Sequence, residues 1–270
     1  GQANISNIST VADAGGDLYQ KGTLAPTNPV SVYYGGKELT PEESTNTSFG
    51  FVWDATDALN ITFDFYNIEL EDRITQGDDI SITPADIALL QSLGVPGAGD
   101  LTNFRFYVND FDTTTEGFDV VATYETEIGN GNTSFTFVYS DVETEVDRTG
   151  GLIGSGRIDQ LEKLLPGKRW NLSAVHNTGD WRMLARMNWV DEWFTEEWGG
   201  GGGYISDMST IDLEVSRDIG DYTFTLGAQN AFDDYPDKEK RGLILGWEYP
   251  EASPLGFNGA FYYFKVGLDF

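Results

Sequence analysis

Apolar and polar residues alternate at every second position along much of this chain, most plainly at its end. Ala260, Tyr262, Phe264, Val266, Leu268 and Phe270 form one set, and Phe261, Tyr263, Lys265, Gly267 and Asp269 interleave with them. A period of two marks a β-strand whose two faces meet different surroundings. The rhythm recurs upstream. Phe49, Phe51 and Trp53 share a face, as do Ile61, Phe63 and Phe65, and then Phe118, Val120, Ala122 and Tyr124. Phe135, Phe137 and Tyr139 follow, then Trp170, Leu172 and Ala174, then Trp181, Met183, Ala185, Met187 and Trp189. Ile211, Leu213 and Val215 mark a seventh strand and Tyr222, Phe224, Leu226 and Ala228 an eighth beside it, so that nine strands are expected between about residue 45 and the terminus. Between Tyr66 and Ile74 the apolar phase slips, which predicts a bulge.

The connections sort by length. Short turns are expected at 54–57, 128–132, 177–180 and 218–221, and long loops at 75–102, 147–166, 197–207 and 237–255. Strict alternation of short and long connections is how an antiparallel transmembrane β-barrel separates its two ends. Trp53, Trp170, Trp181 and Tyr222 then stand beside the short turns as an interfacial belt, with Trp189, Trp193 and Trp198 toward the opposite rim. The last strand runs toward the short-turn side. An odd strand number does not close a bacterial barrel, so the chain reads as the C-terminal part of a larger one, residues 44–270. Residues 1–43, dominated by Asn, Ser, Gly, Thr and Pro, read as an irregular extracellular loop region with local packing at Tyr33 and Tyr34. The first long loop should hold a helix, with Thr83 as N-cap, Pro84 first in the helix, Asp86 completing a capping box and Gly94 ending it. Ile87, Leu90 and Leu93 would form its apolar stripe. The loop at 147–166 and the glycine run Gly199–Gly203 are expected to be irregular.

Composition agrees with an all-β membrane protein. Aromatic residues make up 14% of the 270 positions and glycine occurs 32 times. Mean hydropathy is −0.32, and no apolar run reaches the ~18 residues a spanning helix needs. Barrel strands escape such an average because only every second residue meets lipid. Cysteine is absent, which removes disulfides and thiolate metal sites. Gly1-Gln2-Ala3-Asn4 lacks the basic start and apolar core of a signal peptide, so a mature chain or a piece of a longer one is expected. The net charge of −28 repels phosphate and excludes a nucleic-acid partner. The same charge attracts cations and cationic ligands.

Four segments resemble TonB-dependent outer-membrane receptors. They are LTPEESTNTSFGFVWDATDALNITFDFYNIELEDRI (39–74), TTTEGFDVVATYE (113–125), GAQNAFDDYP (227–236) and the aromatic closing strand with its terminal Phe270. Together they span about 39–270 in family order. The resemblance implies a barrel of about 22 strands with an N-terminal plug, so this chain would lack the plug and about thirteen strands. It also implies energy from the inner-membrane TonB complex through that plug, and a small-molecule nutrient as ligand. Outer-membrane lipid and the barrel assembly machinery are the other expected partners, with Tyr262, Phe264 and Phe270 as the closure and assembly signal.

Candidate chemistry is sparse. Asp141, Glu143, Glu145 and Asp147 alternate along a strand with ~6–7 Å between successive members, a spacing open to a carboxylate pair or calcium but equally to a solvated rim. The segment 110–119 lacks the glycine of an EF-hand loop, Thr115 standing in its place. His176, the one histidine, sits in phase with an apolar face and beside a turn, so an interfacial role outweighs a hydrolytic triad. The glycine run lacks the Lys-Ser/Thr of a phosphate loop. No metal, cofactor or enzymatic activity is expected. Arg182, Arg186, Asp212, Glu214, Lys265 and Asp269 occupy polar faces of the last strands, where charge suits a lumen: they form either a structural ion-pair ladder or a surface for plug and ligand. Asp72, Arg73, Trp193, Glu196, Trp198, Tyr204 and Tyr235 fall near the long-loop rim and are candidates to stack on and hydrogen-bond a ligand.

The expected function is active uptake of a scarce nutrient, a ferric siderophore, a glycan or a similar molecule, across the outer membrane of a Gram-negative cell. The C-terminus would lie on the periplasmic side. A passive porin-like channel, a barrel enzyme and a soluble secreted sugar-binding β-sandwich are the alternatives.

Overall fold

A computed structural model describes residues 5–12, 17–196, 202–238, 248–250 and 252–268. Nine strands run as an antiparallel meander: β3 (Glu43–Thr56), β4 (Leu59–Gln76), β6 (Leu101–Ile128), β7 (Gly131–Thr149), β8 (Lys168–Thr178), β9 (Trp181–Val190), β12 (Met208–Ile219), β13 (Tyr222–Gln229) and β14 (Phe261–Leu268). These are the nine strands expected from the alternation. The sheet is open: β3 pairs only with β4, and β14 only with β13.

Three of the four short turns are two-residue loops led by glycine in the left-handed region. Gly129, Gly179 and Gly220 have φ of 62°, 54° and 61°, between the registered pairs Ile128↔Gly131, Thr178↔Trp181 and Ile219↔Tyr222. A type II′ turn needs that conformation at its first central residue, and its twist matches the flanking strands.

The long connections carry more structure than their composition shows. Residues 1–43 are not simply irregular: β1 (Ile5–Ala12) and β2 (Leu18–Leu24) form a hairpin, followed by α1 (Pro29–Tyr33). Strand β2 pairs in parallel with the upper part of β6, Leu24 opposite Phe106, and β5 (Ile80–Ser81) flanks that part on the other side. A continuous sheet thus rises above the meander, a pairing that no local pattern announces because it joins segments some eighty positions apart. One face of this extension has its own core of Leu24, Val30, Leu90, Val95, Leu101, Phe104, Phe106 and Val108. Helix α2 (Pro84–Ser92) lies where the capping box places it: Asp86 N donates to Thr83 Oγ1 at 3.2 Å and Thr83 N donates to Asp86 Oδ2 at 2.9 Å. Leu90 is fully buried and Ile87 half-buried, but Leu93 is exposed, because the chain leaves the helix there. The loop expected at 147–166 is instead the upper end of β7 followed by α3 (Ser155–Lys163). The connection at 193–205 holds a hairpin of β10 (Trp193–Glu196) and β11 (Gly202–Ile205).

Candidate functional site

Two surfaces hold the chemistry of the chain: the polar face of the meander and the rim above it. Register assigns the faces. Phe135, Ala174, Ala185, Leu213, Ala228 and Tyr262 form one transverse row, and Ser134, Val175, Leu184, Glu214, Gly227 and Tyr263 the next, on the opposite face. The first row belongs to a broad apolar surface edged by aromatics. On its long-loop side runs a chain of rings, Phe51 on Phe63 at 5.5 Å, Phe63 on Phe118 at 5.9 Å, Phe118 on Tyr139 at 5.8 Å and Trp170 on Trp189 at 6.2 Å. Trp53, Trp181 and Tyr222 edge the short-turn side, with Arg217 over the Trp181 ring at 4.9 Å. Trp170 therefore belongs to the opposite belt from the one expected: β8 descends from Lys168 and its turn lies at 179–180, so Trp170 stands at the upper end. His176 lies on the apolar face with its Nδ1 2.8 Å from Thr133 Oγ1.

On the polar face Glu214 is the hub. Arg182 Nη1 donates to it at 2.9 Å, Tyr263 Oη donates at 2.7 Å and Lys265 Nζ lies at 3.5 Å. Lys265 also sits over the Tyr263 ring at 4.3 Å. Tyr263 belongs to β14 and Glu214 to β12, so the phenol crosses β13 to reach it. It can do so because β13 presents Gly227 at that height; a Cβ there would fall 2.1 Å from Tyr263 Cζ. The same device recurs on β6, where the Tyr66 phenol lies over Gly117 and a Cβ would fall 2.6 Å from its Oη. One row above Glu214, Asp212 accepts from Asn188 Nδ2 at 3.1 Å and from the Asn230 amide at 2.9 Å. Arg186 is registered directly opposite Asp212, yet forms no ion pair with any described residue. The lumen candidates thus divide into a satisfied hub (Arg182, Glu214, Lys265), a backbone anchor (Asp212) and an open cation (Arg186). Asp269 and Phe270 lie outside the described residues, while Tyr262 and Phe264 stand exposed on the apolar face at 68% and 59%.

At the rim the candidates do not converge on one open site. Asp72 has φ 52° at the bulge between Leu70 and Arg73. Its amide donates to Asp112 Oδ1 at 2.8 Å, and its carboxylate accepts from Arg148 Nη2 at 3.1 Å. Arg148 also grips Asp112 through both Nε and Nη2. Arg73 donates to Thr113 Oγ1 at 2.9 Å and lies over the Phe111 ring. Both residues are therefore committed to holding strands together. Trp193 offers no face to a ligand: it is 1% exposed and packs with Val190, Ile205 and Met208 beneath the hairpin. Trp198 lies outside the described residues, and Glu196 is described only as a backbone member of β10. Tyr204 is exposed, with its ring 5.7 Å from Phe194.

Tyr235 is the rim candidate with a built environment. Asn230 and Asp233 take φ of 46° and 64°, and Asn230 ties down the turn by donating from Nδ2 to Asp234 O at 2.7 Å and accepting from Asp234 N at 3.0 Å. Tyr235 Oη donates to Asp233 Oδ1 at 3.0 Å, and its ring stacks on Tyr249 at 5.3 Å, which stacks on Phe257 at 6.5 Å. Sequence alternation missed Tyr249 and Phe257 because a stack across a loop has no period. The acidic positions Asp141 and Asp147 accept from Tyr139 Oη and Thr114 Oγ1. No group of three or more potential metal ligands exists among the described residues.

A model of the TonB dependent receptor-like β-barrel family matches residues 3–231. A sequence search among curated proteins finds no match. Among solved structures, the FrpB iron transporter of Neisseria meningitidis (F3-3 variant) superposes with a TM-score of 0.56 at 12% identity, over 83% of this chain and 31% of its own. The outer membrane transporter YddB of Escherichia coli gives 0.58 at 11% identity, over 86% and 33%. The copper transporter OprC gives 0.56 at 16%, over 91% and 34%. The chain spans about a third of the length of these structures. Its open nine-stranded meander, two-faced wall and sorted connections match a segment of such a barrel, and the chain belongs to the TonB-dependent receptor β-barrel family.

Proposed function

We propose that this chain is the C-terminal barrel segment of an outer-membrane receptor that takes up a scarce nutrient with energy delivered by the inner-membrane TonB complex through an N-terminal plug. The observation that carries the reading is the two-sided wall. An apolar face edged by aromatics suits lipid, and the face behind it holds Arg182, Glu214, Lys265 and Arg186 as a lumen wall would. The long connections gather at one end, which this reading places outside the cell, with the C-terminus on the periplasmic side and the barrel assembly machinery inserting the last strand.

The ligand class follows from the rim. The Tyr235–Tyr249–Phe257 stack offers flat ring faces beside the Asp233 carboxylate, and such a surface takes a sugar ring or the aromatic part of a metal chelate. Ferric siderophore and glycan are the two classes it serves. The test uses the full-length receptor in cells. Collapsing the inner-membrane proton gradient should stop accumulation of ligand while leaving surface binding intact. Accumulation that continues at the same rate would identify a passive channel instead.

A further inference from the structure

The chain carries 44 acidic residues against 16 basic ones. Most described cations have found a partner. Lys21, Arg148, Lys163, Arg182, Lys238 and Lys265 are ion-paired. Arg73 and Arg157 are hydrogen-bonded, and Arg217 lies over a tryptophan. Lys37, Lys168, Arg169 and Arg186 have no such partner and are exposed to solvent. Arg105 is the exception among the described residues. It is half-buried, and its Nε is fully enclosed without a hydrogen-bond partner.

A guanidinium nitrogen enclosed without a partner is costly, and a sequence this rich in carboxylates had ample means to pair it. The surroundings sharpen the point. Arg105 is registered opposite Thr23 on β2, and Lys21 opposite Asn103 one row away. Lys21 is largely buried, with 14% of its side chain exposed, and is paired with Asp79. Asp79 directly precedes Ile80, which is registered on Phe104. Asp79 thus sits across β6 from Lys21 and is taken by it, and no described carboxylate is paired with Arg105. Core residues Phe104, Phe106 and Val108 alternate with Arg105, so it faces away from the hydrophobic core.

We infer that Lys21 and Arg105 form a subsite for an oxyanion, a phosphate, sulfate or carboxylate group, on the sheet that rises above the long-loop end of the barrel wall. A guanidinium beside an ammonium suits such a group, which supplies acceptors to both. Asp79 is then a competitor for Lys21, and removing it should strengthen binding. The inference stands apart from the transport reading, since the niche lies away from the lumen wall.

The experiment uses the full-length receptor in detergent micelles, titrated calorimetrically with sodium phosphate against sodium chloride at matched ionic strength. Phosphate should bind, Arg105→Gln should weaken it about tenfold or more, and Asp79→Asn should tighten it several-fold. Lys168→Gln, which removes one distant positive charge, should leave it unchanged. Arg105→Lys should retain part of the affinity with the fold intact, which separates loss of the site from loss of structure. The same titration in nanodiscs, with and without a phosphate-bearing glycolipid, identifies the source of the anion. Competition by the glycolipid that depends on Arg105 assigns the niche to a headgroup; its absence assigns it to a soluble anion. No phosphate binding, or binding indifferent to both Arg105→Gln and Asp79→Asn, overturns the inference.

Discussion

Arg148 holds the upper ends of three strands at once. It grips Asp112 of β6 with two nitrogens and Asp72 of β4 with one, and Asp112 also receives the Asp72 amide. The hydrogen bond from Arg148 chiefly holds the Asp112 carboxyl below its ordinary value, with the Asp72 amide assisting against partial burial. A depressed folded-state pKa stabilises above the ordinary carboxylate range of about 4 and is lost as pH falls through the folded value. The protection factor of the Asp72 amide against hydrogen exchange should therefore fall only below about pH 4, and Asp112→Asn should lower it in the same way at neutral pH. Exchange that stays slow in the variant would show that backbone pairing alone holds the bulge. Thr83 makes a second local test. Its side chain caps α2 and its amide is returned to Asp86; Thr83→Ala should cost the helix about 1 kcal/mol, read as faster exchange over α2 with the meander unchanged.

At the scale of strands and helices, the glycines in the lumen wall explain the hub. Gly227 leaves a gap on β13 that the Tyr263 phenol fills on its way to Glu214. Gly227→Val should expel the ring, break that hydrogen bond and leave Glu214 with its two cations, costing about 1–3 kcal/mol as overpacking does. Chemical denaturation of the refolded receptor measures it, and a value near zero would mean that the ring was never seated there. The alternation announced all nine strands because lipid and lumen impose opposite demands on successive residues. The capping box announced α2 because its signal lies within four residues. The hairpin β1–β2 and its parallel pairing with β6 were not legible, since their partners are distant and their composition is that of a loop. Helix α3 was missed for a related reason: Gly154 gives it no side-chain cap. Among the site residues, Trp193 misled because an aromatic near a rim looks the same in sequence whether it faces solvent or core, and Trp170 misled because it was assigned to the wrong end of its own strand.

For the molecule as a whole, the apolar face must have the height of a bilayer core. Trp181 and Trp189 bound it on β9, eight residues apart. At ~3.4 Å per residue and a tilt of ~40° they stand about 20 Å apart along the membrane normal, close to the ~25 Å apolar band of outer-membrane barrels. Leu213, registered with Ala185 midway between them, then lies near the bilayer midplane, exposed at 42% on the lipid side. Thr136 lies on the opposite face, registered with Ser173. Leu213→Arg should cost about 2–4 kcal/mol in the folding of the full-length receptor into lipid vesicles, as a cation at the midplane does. Thr136→Arg, the same charge turned toward the lumen, should cost clearly less. The difference between the two variants, rather than either value, tests the assignment of the faces, because both add the same side chain to the same wall. If they cost the same, or if Thr136→Arg costs more, the two faces have been assigned the wrong way round.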